Sequence, residues 1–282
     1  MQKSRHFDRS GSRSEPRSGE TRFSTKTASQ PVSIRPRDLL KPTTHPIHPF
    51  DQIHGTDTSG LVPARDLVTG HPNDEHVTAY YGVAPSILRA LIQHWLATAP
   101  PHHITDYTFL DIGAGKGRAV LLASEFPFRQ VVGVELNPAM AAIARSNAET
   151  WGRAHAADPT ASATAPILIV QDDALNLALP DTPTLIFLFH PFEDPVLKSL
   201  LRRIETAFAD RPGTLDILYV NAEHGPTLNR HPAFTLLWQG QVPMSPEDHA
   251  ADLEAIAQQE EYGSTGDELC AIYRYTGRGR KP

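Results

Sequence analysis

Small and acidic residues give one stretch of the sequence the composition of a ligand-binding site. Residues 109–138 read FLDIGAGKGRAVLLASEFPFRQVVGVELNP, with a carboxylate at the end of each of two apolar runs. Glycine lets the backbone turn with positive φ and approach a ligand with no side chain in between, and carboxylates accept hydrogen bonds from ammonium or hydroxyl groups. The pattern predicts a nucleotide-type site at the edge of a parallel sheet, formed by Asp111, Gly113, Gly115, Gly117 and Glu135.

The residue after the last glycine argues against two common uses of such a turn. A phosphate-binding P-loop requires four residues between its glycines and then Gly-Lys-Ser/Thr, whereas Gly117 is followed by Arg118. The dinucleotide fingerprint requires glycine or alanine three places after Gly115, where the first helical turn packs closely against the strand. That place is again Arg118, so the sequence predicts neither a P-loop site nor an NAD or FAD site.

A histidine follows a later apolar run. The run TLIFLF is followed by His190, Pro191 and Phe192. Histidine titrates near neutral pH and can accept a proton, and an aromatic ring can stack on a planar group or pack around a lysine stem. A histidine at the end of a strand can equally be a capped surface residue, but ligands of open α/β sheets bind at the carboxyl ends of the strands. We therefore expect His190 to have a functional role.

Strand and helix patterns alternate from Tyr107 onward. Short apolar runs (YTFLDI, QVVGVEL, ILIVQ, TLIFLF and LDILYV) are separated by stretches with helical spacing, and a further helix precedes them at residues 84–99. This alternation predicts a parallel sheet with helices on both faces. At the C-terminal end, FTLLWQGQV and ELCAIYRYT read as two more strands, joined by an acidic, partly helical insert.

The charge distribution divides the chain into two unlike parts. Residues 1–48 contain ten Lys or Arg and four Asp or Glu, a net charge of +6, whereas residues 49–282 carry a net charge of −12. The N-terminal part has few aliphatic residues to bury, so we expect 1–48 to be a disordered basic tail and 49–282 to form the domain. With a single cysteine, Cys270, and no apolar run long enough to span a membrane, we expect a cytoplasmic protein.

The motif DIGAGKG resembles the first motif of class I S-adenosylmethionine-dependent methyltransferases. The resemblance extends from about Tyr80 to Tyr275 and implies a doubly wound, mostly parallel seven-stranded α/β sheet with an antiparallel last strand. It implies S-adenosylmethionine as cofactor, with Asp111 accepting from its ammonium group through water and Glu135 from both ribose hydroxyls. The Asp-Asp-Ala after ILIVQ matches the acidic residue that the family places beside the adenine, which implies Asp173 as acceptor and Ala174 as a slim wall.

A more detailed resemblance involves the segment before the domain. FDQIHGTDTSGLVPARDL is similar to a segment of a group of small bacterial class I methyltransferases, and DIGAGKGR is more remotely similar to seven-stranded protein-lysine methyltransferases. Thr58 and Ser59 could form a lid over cofactor or substrate, or an ordinary turn that ties the tail to the domain. Tyr81 could close the methionine end of the pocket, or form a hydrophobic staple before the helix.

The acceptor is indicated only by class. Members of the family that methylate amines of nucleic acids or glutamine carry Asn/Asp-Pro-Pro-Tyr/Phe where this chain has His190, Pro191 and Phe192, which argues against a nucleic-acid acceptor. We expect an amine of a protein side chain or a small molecule, with His190 as the base and Pro191 and Phe192 beside the substrate. A non-catalytic sensor or partner subunit that binds the cofactor is the alternative, and aminopropyl transfer is a third possibility.

No metal site is expected, and the sequence does not indicate an oligomeric state. His45, His48 and His54 lie close together in sequence, but their spacing does not place two of them on one helical face and prolines separate them.

Overall fold

The computed structural model describes residues 46–158, 160, 162–257 and 266–278, so the expected tail at 1–48 lies almost wholly outside the described residues. Seven helices are described: α1 (Pro49–His54), α2 (Pro85–Ala97), α3 (Arg118–Ala123), α4 (Pro138–Ala157), α5 (Asp194–Ala207), α6 (Gly225–Asn229) and α7 (Pro246–Ile256). The described strands are β1 (Thr108–Ile112), β2 (Gln130–Glu135), β3 (Ile167–Gln171), β4 (Thr184–Phe189), β5 (Leu215–Val220), β6 (Phe234–Pro243) and β7 (Asp267–Tyr275).

The seven strands form one sheet in the order β3-β2-β1-β4-β5-β7-β6. Strands β1 to β5 are parallel to one another, while β7 lies between β5 and β6 and is antiparallel to both. The predicted fold class, a mostly parallel seven-stranded sheet with an antiparallel last strand, is confirmed. Because the strand order reverses between β1 and β4, their carboxyl ends form the crevice in which ligands of such sheets bind.

Helices cover both faces of the sheet, which explains why its central strands are apolar on both sides. Phe109 and Leu110 are adjacent in β1 and belong to two different buried clusters, since successive side chains of a strand point to opposite faces. One cluster contains residues of α2, α3 and α4, and the other contains residues of α5 and α6. Helix α4 begins where the sequence indicates: Asn137 accepts hydrogen bonds from the amides of Ala139 and Met140, and Pro138 occupies the first turn.

The described chain is already packed at His48, next to the expected start of the domain at residue 49. His48 is buried, its Nδ1 accepts a hydrogen bond of 3.1 Å from the amide of Phe50, and its own amide donates to Ser59 Oγ at 2.9 Å. His54 packs against the rings of Phe50 and Trp151, with centroids 4.7 and 4.6 Å away. These two histidines therefore cap and pack the N-terminal segment. In the described part of the chain, no helix is both long and apolar enough to cross a membrane.

Candidate active site

A pocket lies at the carboxyl ends of β1, β2 and β4, where the strand order reverses. Its walls are the glycine-rich turn after β1, the end of β2, the Asp-Asp-Ala segment after β3, the segment 77–83 before α2, and the residues around Pro191. The sequence analysis assigned residues from each of these five segments to the site. The structure thus brings together Asp111, Gly113, Gly115, Glu135, Asp173, Ala174, Tyr81, Pro191 and Phe192 in the walls of one pocket.

The glycines of the turn allow other parts of the chain to pack closely against it. Gly113, Gly115 and Gly117 have φ of +77°, +55° and +90°, as the sequence predicts for a turn that only glycine readily adopts. A Cβ at Gly113 would lie 2.4 Å from Pro191 Cβ, and one at Gly115 would lie 2.2 Å from the ring of Tyr80. Sequence analysis attributed these glycines to the approach of a ligand, whereas the structure adds a second reason in the contacts with Pro191 and Tyr80.

Two carboxylates lie beside the turn, the half-buried Glu135 and the buried Asp111. Glu135 accepts hydrogen bonds from the amides of Gly115 at 2.7 Å and Asn137 at 2.8 Å. Burial raises the pKa of Glu135, which these amide bonds oppose. Asp111 is 3% exposed, and burial together with the nearby charge of Glu135 raises its pKa well above the usual value. Two carboxylates in such a place favour a ligand that brings a positive charge or hydroxyl donors.

The Asp-Asp-Ala segment after β3 forms another wall of the pocket. Asp173 Oδ1 accepts from the amide of Leu175 at 2.8 Å, and Oδ2 accepts from Asn73 Nδ2 at 3.0 Å. Asp172 Oδ1 accepts from the amide of Asp173 at 2.8 Å, and Asp172 lines the pocket as well. Both oxygens of Asp173 thus hold local structure, and Asn73 is a pocket residue that the sequence did not indicate.

Tyr81 lines the pocket and is fixed by a helix distant in sequence. Its hydroxyl donates to Asp252 Oδ1 at 2.6 Å, and Asp252 is a buried residue of α7. Burial raises the pKa of Asp252, an effect that the hydrogen bond from Tyr81 opposes. The acidic insert between the last two strands therefore supports one wall of the pocket.

Thr58 and Ser59 lie in a buried polar network and are not among the residues that line the pocket. Thr58 Oγ1 donates to Asp51 Oδ1 at 2.7 Å and accepts from Arg118 Nε at 2.7 Å, and Ser59 Oγ donates to Asp51 Oδ2. Lys116 Nζ donates to the carbonyl of Ser59 at 2.7 Å. This placement agrees with the alternative of a segment that ties the N-terminal region to the domain, rather than with a lid.

His190 sits beside the pocket without lining it. Its φ of +42° turns the chain so that Phe189, Pro191 and Phe192 line the pocket. His190 Nε2 lies 3.4 Å from Glu223 Oε2, and its Nδ1 is buried without a hydrogen-bond partner in the described structure. Burial lowers the pKa of His190, while the charge of Glu223 opposes that effect. A neutral imidazole with one unused nitrogen can accept a proton or a hydrogen bond.

The sequence also did not indicate Tyr80 or Arg118 as side chains of the pocket. Tyr80 contacts the turn at Gly115 and donates from its hydroxyl to the carbonyl of Thr58 at 2.7 Å. In the sequence, Arg118 argues against a P-loop and a dinucleotide site, and in the structure it lines the pocket. The signal for Arg118 was its position on the first turn of α3, directly after the glycines.

A protein-family model matches about a third of the chain. Residues 109–210 match the protein-family model described as a methyltransferase domain. None of the curated proteins compared with the chain matches its sequence. The matched segment begins in β1 and contains the glycine-rich turn, Glu135, Asp173 and His190.

Solved structures of methyltransferases are similar to the chain at low identity. An RNA methyltransferase from Salinibacter ruber in complex with S-adenosyl-L-homocysteine is 18% identical over 69% of this chain and 94% of that chain, with a TM-score of 0.38. The B. subtilis M1A22 tRNA methyltransferase TrmK is 12% identical over 70% and 68%, with a TM-score of 0.40. A ribosomal protein L11 methylase from Lactobacillus delbrueckii subsp. bulgaricus is 12% identical over 67% and 78%, with a TM-score of 0.41. At these values the three likenesses carry no argument about the acceptor.

The sheet has the class I methyltransferase fold, and the methyltransferase-domain match over residues 109–210 indicates an S-adenosylmethionine-dependent methyltransferase. Its cofactor is S-adenosylmethionine. The pocket suits this cofactor chemically, because the carboxylates of Asp111 and Glu135 beside the glycine-rich turn can accept hydrogen bonds from an ammonium group and from hydroxyls.

Proposed function

We propose that this methyltransferase methylates an amine, either of a protein side chain or of a small molecule. The observation that carries the proposal is a set of three exposed carboxylates, those of Glu75, Glu193 and Glu223. Glu75 and Glu193 lie within two residues of a pocket-lining residue, and Glu223 is paired with His190. Their side chains are 76%, 57% and 59% exposed. We call these three residues the acidic rim.

Glu75 and Glu193 belong to segments that line the pocket, and Glu223 lies beside His190. Glu193 follows Phe192, and its Oε2 lies 3.1 Å from His76 Nδ1. Glu75 Oε1 lies 3.6 Å from His76 Nε2, and Glu223 contacts His190. Such a concentration of negative charge attracts a protonated amine and repels the phosphates of a nucleic acid. The charge of the rim therefore supports a cationic acceptor.

Residues around His190 suit the transfer to an amine. S-adenosylmethionine supplies a methyl group that is already electrophilic. A protonated amine has no lone pair for attack, so it must lose a proton, and His190 is neutral near pH 7 because burial lowers its pKa. In this proposal His190, which adjoins the pocket-lining Pro191, takes up the proton once the acceptor is bound, while Phe189 and Phe192 exclude water from the amine.

One resemblance favours an amine acceptor: the continuation of the first motif into Arg118 is remotely similar to protein-lysine methyltransferases. A lysine ε-amine carries the charge that the acidic rim would attract. RNA is the acceptor class named for two of the structurally similar proteins, and it is therefore the contrasting arm of the test.

The test incubates the protein with S-adenosylmethionine labelled in its methyl group and three separate acceptor pools: polyamines, lysine-containing peptides and total RNA. We expect label in an amine pool, with a KM that rises several-fold in a variant carrying Glu75→Gln, Glu193→Gln and Glu223→Gln. Because exposed charges are screened by salt, the rise should shrink at high ionic strength. Glu149→Gln, an exposed carboxylate of α4, is the matched control. Transfer to RNA alone, or an unchanged KM in the triple variant, would contradict the proposal.

A further inference from the structure

The pocket walls contain four carboxylates and one arginine. Asp111, Glu135, Asp172 and Asp173 line the pocket, and Arg118 is the one Lys or Arg side chain among its described lining residues. S-adenosylmethionine is itself mixed in charge, with an ammonium group and a carboxylate at its methionyl end. The aspartates and glutamate suit its ammonium and hydroxyl groups. They do not suit its carboxylate, which needs a cationic donor when it leaves water.

Arg118 is held in place with donors to spare. Its side chain is 3% exposed, Nε donates to Thr58 Oγ1 at 2.7 Å, and NH1 donates to the carbonyl of Gly82 at 3.1 Å. NH2 lies 3.9 Å from Asp51 Oδ2, beyond hydrogen-bond distance. A guanidinium has five N–H donors, and these hydrogen bonds use two of them. The guanidinium therefore keeps donors for a ligand in the pocket.

Gly82 makes room for the guanidinium. A Cβ at Gly82 would lie 2.8 Å from Arg118 Cζ and 2.9 Å from its Nε. Gly82 lines the pocket together with Gly115 of the glycine-rich turn. The guanidinium is planar, and its N–H groups can donate two parallel hydrogen bonds to a single carboxylate.

We propose that Arg118 binds the carboxylate of S-adenosylmethionine, and that Thr58 and Asp51 are positioning residues for it. The buried network of Asp51, Thr58 and Ser59 then positions Arg118 for the cofactor, in addition to holding its own segments of the chain together. Burial acts to raise the pKa of Asp51, but hydrogen bonds from Ser59, Thr56 and Thr58 and the charge of Arg118 hold it below the usual value. Asp51 is therefore ionised and keeps the guanidinium in its place. The inference rests on the cofactor and is independent of which acceptor is methylated.

The test compares two ligands that differ only in the carboxylate. Isothermal titration calorimetry measures the affinity of the full-length protein for S-adenosylmethionine and for its decarboxylated form, which keeps the sulfonium, the ammonium and the adenosyl group. A charge-assisted pair contributes about 1.5–3 kcal/mol, so we expect the wild type to bind S-adenosylmethionine about 10- to 100-fold more tightly than the decarboxylated form. Arg118→Ala should abolish this ratio by weakening S-adenosylmethionine binding alone, and Arg118→Lys should restore part of it.

Further variants separate binding from a structural role. Thr58→Val removes the acceptor for Arg118 Nε and should reduce the ratio, while Arg145→Ala, an exposed arginine of α4, should leave both affinities unchanged. Equal losses for both ligands in Arg118→Ala would overturn the proposal, because they would mean that Arg118 only supports the fold. Equal affinities for both ligands in the wild type would overturn it even if Arg118→Ala fails to fold. A wild type that binds neither ligand would instead overturn the assignment of the cofactor, and the proposal with it.

Discussion

The amide of Gly115 donates a 2.7 Å hydrogen bond to the carboxylate of Glu135. This bond connects the glycine-rich turn after β1 to the end of β2, so one side chain both shapes the turn and faces the pocket. A carboxylate held by two backbone amides needs little reorganisation when ligand hydroxyls approach it. The turn and the acidic residue thus act as one unit in binding.

Glu135→Ala should lower the affinity for S-adenosylmethionine by about 1.5–3 kcal/mol for each lost hydrogen bond to the carboxylate. Glu135→Gln keeps the shape of the side chain and should lose less. Calorimetry on both variants measures the effect, with Glu149→Ala on the exposed face of α4 as the control. Unchanged affinity in a folded Glu135→Ala protein would remove this residue from the site.

Gly115→Ala should weaken cofactor binding and lower the melting temperature. Alanine is strained at φ +55°, and its Cβ would collide with the ring of Tyr80. Gly152→Ala is the control, because its Cβ in α4 would meet no atom within 4 Å and alanine favours helix. The double variant Gly115→Ala with Tyr80→Ala should recover part of the loss if the collision matters. If the double variant recovers none of the loss, backbone strain at residue 115 accounts for all of it.

Binding of S-adenosylmethionine should weaken as the pH falls, beginning above the usual carboxyl range near 4. Burial raises the pKa of Asp111, so this carboxyl takes up a proton at a higher pH than an exposed one, and the protonated form cannot attract an ammonium group. Cofactor binding should also release protons, which calorimetry detects in buffers of different ionisation heat. Asp111→Asn should remove most of the release. A pH-independent affinity with no proton release would contradict a raised pKa of Asp111.

His190→Ala should leave the affinity for S-adenosylmethionine near the wild-type value while kcat falls by about 10²- to 10⁴-fold, the range for a general base. Since the base acts in its neutral form, the wild-type rate should fall as the pH drops through its pKa. Burial lowers that pKa, the charge of Glu223 opposes the effect and that of His224 adds to it, so the acid limb should lie below pH 6.5. His190→Ala should lose this limb. Single-turnover rates equal to wild type would remove His190 from the mechanism.

Local patterns made the sheet and the two carboxylates predictable. Apolar runs that end in Asp111 and Glu135 are short in sequence, and parallel strands place their carboxyl ends together whatever the rest of the fold does. The contact of Tyr80 with Gly115 and that of Tyr81 with Asp252 join distant segments, and no local pattern encodes them. The direction of the His190 side chain depends on a φ of +42°, which is uncommon for this residue type and cannot be read from spacing.

The position of β7 between β5 and β6 has a consequence for synthesis on the ribosome. Strand β5 cannot meet its final neighbour until residues 267–275, close to the C-terminal end, have left the exit tunnel. Until then Asp216 of β5, which is buried in the finished domain and bonded to Trp95 and Arg274, lacks its arginine partner. The nascent sheet therefore exposes an apolar edge until β7 has been synthesised. A chaperone that shields this edge would raise the yield of folded protein, and a stop codon before β7 would leave an aggregation-prone product.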